Sequence, residues 1–159
     1  MDQKTLFMKY WEKEALTTRK VLSRIPEGAN YRPDPKSRTA REIAWLLVRE
    51  EQELVDGLEK GRLEWAEVPA PPTMQEVLAA YDRLHETLNA RLRAIDPARW
   101  EGRVPFMYGG QEVMNETGYD NAWGFLLDMV HHRGQLSTYL RPMGSTVPQI
   151  YGPSADEPM

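Results

Sequence analysis

Cysteine is absent from this chain. That absence excludes disulfides, thiolate nucleophiles and sulfur ligands, so any bound metal has to be held by histidine, aspartate, glutamate and water. Long apolar runs are missing too. The longest cover only a few residues, where a bilayer-crossing helix needs about 20. The opening MDQKTLFMKYWEKEAL carries too much charge for a secretory signal, so a soluble, cytoplasmic protein without membrane association is expected. Nor is there a basic excess. Twenty Lys and Arg stand against 24 Asp and Glu for a formal charge of −4. No basic run interleaved with aromatics is present to follow a phosphate backbone, so nucleic acid is not an expected partner. Repeats and low-complexity segments are also lacking. At 159 residues, a length that buries roughly two-thirds of the unfolded surface, a single domain spanning 1–159 is sufficient.

Helical periodicity is what the chain does have. Phe7, Trp11, Thr18, Leu22 and Ile25 recur at spacings of three, four or seven and predict a first helix from about Gln3 to Ile25. Pro26, Gly28 and the run Tyr31-Arg32-Pro33-Asp34-Pro35 end it. Thr39 and Glu42 have the spacing of a capping box, and Ile43, Leu46, Leu47, Leu54 and Leu58 continue as one apolar stripe, the second helix. A proline-rich connector, Glu67 to Pro72, leads to a second capping-box pair, Thr73 and Glu76. The third helix then carries Val77, Tyr81, Leu84, Leu88, Leu92 and Ile95 and stops near Asp96-Pro97.

From Trp100 to about Asn121 no period is sustained, which predicts an ordered loop with at most short strand-like or helical pieces. Irregular loops of that length are often functional. The last helix is expected from Asp120 or Asn121 to Met143, with Pro142 in its final turn and Gly144 as terminator. Four helices without a convincing period-two segment predict an all-α fold, an antiparallel four-helix bundle with a long loop before the last helix.

Several polar residues fall on or beside the apolar faces. At about 100° per residue, Glu50 points between Leu46, Leu47 and Leu54 on the second helix, into the core. A dry, unpaired carboxylate would cost several kcal/mol or more, so Glu50 has to meet a cation such as Arg133, stay protonated, or line a wet pocket. On the last helix, Asp128, His132, Gln135 and Tyr139 form a strip at the edge of the face made by Phe125, Leu126, Met129, Leu136, Leu140 and Met143. Asp128 and His132 stand one turn apart, able to reach one ion or to share a hydrogen bond. An imidazole nitrogen with carboxylate oxygens suits zinc, nickel or a similar divalent ion. His131 points about 100° away from His132, toward packing or surface. His85 lies beside the stripe of the third helix, either as a hydrogen-bonded core histidine or as a further ligand. Glu50 and His132 in one pocket would also allow acid/base catalysis without metal.

The runs HHRGQLSTYLRPMG and VPQIYGPS, together with SRTAREIAWLLVREEQELVDGL, closely resemble the DinB-like superfamily, the DinB/YfiT-type metalloenzymes. The resemblance covers most of the chain and implies a four-helix bundle, often a homodimer. It also implies a divalent metal held by three histidines, one on the second helix and two spaced i, i+4 on the last. Characterised relatives include transferases and isomerases that use a low-molecular-weight thiol such as mycothiol or bacillithiol. The second histidine of the last-helix pair falls on His132, and the first on Asp128. The second-helix ligand falls on Leu46, which cannot bind a metal. Glu50, one turn later on the same face, is then the best replacement and His85 the next. Two functions follow as expectations. In one, the protein has a degenerate metal site with weak or no metal binding and serves as a small-molecule pocket or dimeric binding protein, its Glu50, Asp128, His132 and Arg133 joined in an internal hydrogen-bonded network. In the other, it is a divalent-metal-dependent hydrolase or thiol-dependent transferase using Glu50, Asp128 and His132. The tail Ile150-Tyr151-Gly152-Pro153-Ser154 is expected to fold back over the bundle or to line the pocket entrance.

Overall fold

Long helices form where apolar spacing and capping chemistry coincide. The structure, a computed structural model, describes residues 1–28 and 30–159. Helix α1 spans Gln3–Leu22, α2 Ala40–Lys60, α3 Met74–Ala94 and α5 Gly118–Tyr139, with a short α4 at Pro97–Glu101. Both anticipated capping boxes are made: Thr39 and Thr73 each accept from the backbone N–H three residues on, while Glu42 and Glu76 reach back to the cap residue's own N–H. Helix α1 ends three residues earlier than its apolar spacing suggests, because Ser23 caps it and Ile25 packs from the following turn. Pro142 lies outside α5, in a 3-10 turn at Arg141–Met143 that Gly144 closes at φ +78°.

The all-α expectation is incorrect in one respect. Residues 103–117 are not a loop but a hairpin, β2 (Arg103–Tyr108) and β3 (Gln111–Thr117), which with β1 (Leu63–Trp65) makes a three-stranded sheet ordered β1-β2-β3. Strand β1 runs parallel to β2 with Leu63 opposite Phe106, and β2 pairs antiparallel with β3. Gly109 and Gly110 join β2 to β3 at φ +57° and +80°. Positive φ at both central residues of a two-residue connection is the turn whose twist suits a hairpin. Alternation failed to reveal the strands because Val104 alone is fully buried in the hairpin and β3 is exposed almost throughout. Helix α5 begins at Gly118, directly after the hairpin, where Thr117 accepts from the Asp120 N–H.

The core fills with Phe7 and Trp11 of α1, Leu47, Leu54 and Leu58 of α2, Leu88 and Leu92 of α3, Trp100, and Leu136 of α5. Phe7 meets Trp11, Trp100 and Trp123 at ring-centroid distances of 5.8, 5.5 and 5.3 Å. Helix α2 packs on both α3 and α5, and the sheet sits beside the α2–α5 pair. Among the described residues no helix is long and apolar enough to cross a membrane.

Gly57 sets how close β1 comes to α2, since a Cβ there would meet the Leu63 backbone Cα at 2.9 Å. Gly57→Ala should therefore push β1 outward and lower stability by about 1–3 kcal/mol despite the better helix propensity of alanine. A urea-unfolding midpoint at or above that of the parent would contradict this.

Candidate metal centre

Glu50 projects from the middle of α2, and Asp128 and His132 from successive turns of α5, the helix packed against it. The His132 Nε2 lies 3.6 Å from Glu50 Oε1 and 3.5 Å from Asp128 Oδ2. One donor atom from each of the three residues falls within 4.8 Å of the others. Burial is graded across the group, with side-chain exposures of 4% for Glu50, 15% for His132 and 58% for Asp128. The centre is thus a closed floor with an open side.

Gln135 orients the imidazole. Its amide oxygen lies 2.9 Å from His132 Nδ1, and its amide nitrogen 3.1 Å from His131 Nε2. With the oxygen accepting from Nδ1–H, neutral His132 turns the lone pair of Nε2 toward the two carboxylates. Sequence spacing placed Gln135 on the same strip but did not reveal that it bridges both histidines. His131 stays out of the three-donor group, as its 100° offset requires, although it lines the mouth of the same cavity.

Burial pushes the Glu50 carboxyl up to about 9, with the nearby Asp128 carboxylate adding to the rise and Arg38 opposing it. Its Oε2 is buried without a hydrogen-bond partner among the described residues. The anticipated cation is elsewhere: Arg133 pairs with Glu14, at 2.7 Å, and not with Glu50. His85 is likewise engaged away from the centre. Its Nδ1 lies 2.9 Å from Glu51 Oε2 and its ring stacks on Tyr81 and Trp11, so it supplies no ligand to Glu50 and His132. The contact with Glu51 raises the His85 pKa against the opposing effect of burial.

The donor set fits a divalent ion. Two donors about 2.1 Å from one zinc-sized ion at a tetrahedral angle lie about 3.4 Å apart, close to the separations from His132 to Glu50 and to Asp128. The same separations are long for hydrogen bonds, so His132 satisfies neither carboxyl, and the polar contact that remains is the one between Glu50 and Asp128. Leu46, buried on the α2 face one turn before Glu50, contributes only hydrocarbon.

A cavity of about 730 Å³ stands over the centre. Trp65 of β1, Phe106 of β2, Met114 of β3 and Leu127 of α5 give it apolar walls, while Asp120 and Glu116 add carboxylates beyond the three-donor floor. The sheet missed by sequence periodicity is therefore a wall of the site. The tail does fold back, but onto α1 and α5: Tyr151 donates to Glu14 Oε2 at 2.8 Å, and none of 150–154 lines the cavity.

Comparison with known proteins places the chain in a family. The sequence model of the DinB family matches residues 1–159. The uncharacterized protein YrdA of Bacillus subtilis (strain 168) is 31% identical over 157 residues, covering 95% of this chain and 89% of that protein. Among solved structures, the DinB-like protein YjoA of Bacillus subtilis superposes with a TM-score of 0.73 at 16% identity, covering 91% of this chain and 96% of the other. A DinB-like protein of Bacillus cereus ATCC 10987 superposes at 0.74 with 20% identity, over 91% and 95%. At such identities the two structures share the fold, and the chemistry of this site has to be argued from its own residues.

Proposed function

The chain belongs to the DinB family, and from that premise we propose that its cavity is a small-molecule site built on a divalent-cation centre of Glu50, Asp128 and His132. The observation that carries this reading is the buried Glu50 carboxyl, its Oε2 without a partner, facing His132 and Asp128 with one donor of each residue within 4.8 Å of the others and no arginine or lysine paired to it among the described residues. An internal hydrogen-bonded network would need every buried group satisfied, and here Glu50 Oε2 is left over.

When bound, a divalent ion supplies Lewis-acid activation of a water or a thiol, the chemistry of a hydrolase or a thiol-dependent transferase. The chain's own residues set its terms. Glu50 has to give up its proton to become a ligand, so occupancy is coupled to proton release. His132 presents Nε2 because Gln135 holds Nδ1. Two carboxylates in place of two imidazoles leave less net positive charge on the centre than a three-histidine set, and so a weaker pull on bound acids. The apolar walls offer hydrocarbon surface to a ligand beside the three donors, and Asp128 stands at the exposed side of the centre. Homodimerisation, which the family resemblance implies, belongs to the same reading and is checked by gel filtration.

Metal analysis of protein purified without a histidine tag tests the centre. Near-stoichiometric zinc or nickel is expected, with His132→Ala weakening affinity about 100-fold. Protein that stays metal-free when zinc and nickel are supplied, yet binds a small molecule in the cavity, would establish the metal-free pocket instead.

A further inference from the structure

A second cavity, of about 480 Å³, adjoins the first and shares Arg38, Leu46 and Trp65 with it. Its character is opposite. Where the first cavity carries Glu50, Asp128, Glu116 and Asp120, the second is lined by Arg32, Lys36, Arg38 and Arg49 against two carboxylates, Glu42 and Glu67. Both carboxylates are committed: Glu42 closes the α2 capping box, and Glu67 lies 3.5 Å from Arg38. Arg32, Lys36 and Arg49 make no ion pair among the described residues. Arg49, part-buried, spends one nitrogen on Gln52 at 2.7 Å, and its Nε is buried without an acceptor. Four cations against two carboxylates leave an excess of positive charge in this cavity, and an oxyanion offsets it through charge-assisted hydrogen bonds.

The two cavities lie along one helix face. Glu42, Trp45, Leu46 and Arg49 follow each other at helical spacing on α2, and Glu50 comes one turn after Leu46, about 6 Å along the axis. Leu46 therefore stands at the junction of the two cavities, with Arg38 and Trp65 beside it in both linings. Trp45 and Trp65 wall the basic cavity, and the Trp45 indole is held by its bond to the Val68 carbonyl at 3.0 Å.

We infer that the basic cavity is an anion subsite for the same ligand. It receives a carboxylate or phosphate group of an organic anion whose other end lies against Glu50, Asp128 and His132. The inference rests on the small-molecule reading of the first cavity for its second half, whereas anion binding itself stands on the basic cavity alone.

Inorganic phosphate and malonate are the probes, titrated into the full chain while backbone amide resonances are followed. Saturable shifts are expected at 36–38 and 45–49. Arg49→Gln should weaken binding about tenfold, and Arg32→Ala with Lys36→Ala about fivefold. The second variant alters only exposed side chains on the connector before α2 and so guards against a folding defect. Saturation by phosphate alone or by malonate alone identifies the preferred oxyanion. Binding retained in His132→Ala separates this subsite from the metal centre, so either reading can fail without the other. Absence of saturable shifts, or affinity unchanged in the double variant, overturns the inference.

Discussion

Glu50→Gln is expected to be more stable than the parent protein at pH 8 in the presence of a chelator, by as much as roughly 4 kcal/mol, and to lose that advantage near pH 4.5. The ordinary glutamate value of 4.5 is raised to about 9 in the fold, mainly by burial. Between those values the unfolded chain is ionised at this position while the folded chain still holds its proton. Folding then takes up a proton, so stability falls as pH rises through this window and is fully present only below it. Glutamine copies the protonated shape and cannot ionise, which removes the slope. Added zinc reverses the order, because the parent gains a ligand by releasing the proton while the amide offers a poor one. Urea unfolding of both proteins across this pH range, with and without zinc, reads both effects. Parallel pH profiles would mean that Glu50 is not held neutral, and equal stabilisation by zinc would remove it from the centre.

Arg133→Met should cost about 3–5 kcal/mol, since it strands a buried carboxylate. Arg133 is 1% exposed, pairs with Glu14 at 2.7 Å and also donates to the Glu14 carbonyl and to Tyr151. Its removal leaves Glu14 with only the Tyr151 hydroxyl. Adding Glu14→Leu takes away the stranded charge, so the double variant should recover most of the loss. The same cation fixes the tail through Tyr151, and limited proteolysis after 144 should quicken in both variants. A single variant within about 1 kcal/mol of the parent would show that water reaches Glu14.

Much of this architecture is written in local pattern. Thr39 with Glu42, Thr73 with Glu76 and the apolar spacing after them mark α2 and α3 closely, because a cap and a periodic face are decided within a few residues. The hairpin escaped because alternation reports burial, and β3 buries almost nothing. A residual signal was present in Gly109-Gly110, the dipeptide that a two-residue hairpin turn favours. At the site, Glu50, Asp128 and His132 were each legible as polar residues on apolar faces, and the resemblance aligned the last two with known ligand positions. The acid that Arg133 meets was not. Arg133 and Glu14 are 119 positions apart, and no periodicity carries a pairing over that distance. Only the packing of α1 against α5 decides which buried acid the arginine meets. His85 was equally ambiguous from spacing, and its contact with Glu51 resolves it as a bridge between α3 and α2.

Strand β3 has one further consequence. It is the outer strand of its sheet, and Val113 and Met114 are exposed on it. Its free edge presents unpaired backbone N–H and C=O groups, a template on which another extended chain adds by strand pairing. Glu112 and Glu116 flank the two apolar residues and act as gatekeepers, since a second identical edge would bring like charges together. The strand that walls the cavity is thus also the segment from which edge-to-edge aggregation would begin if those two glutamates were replaced by apolar residues.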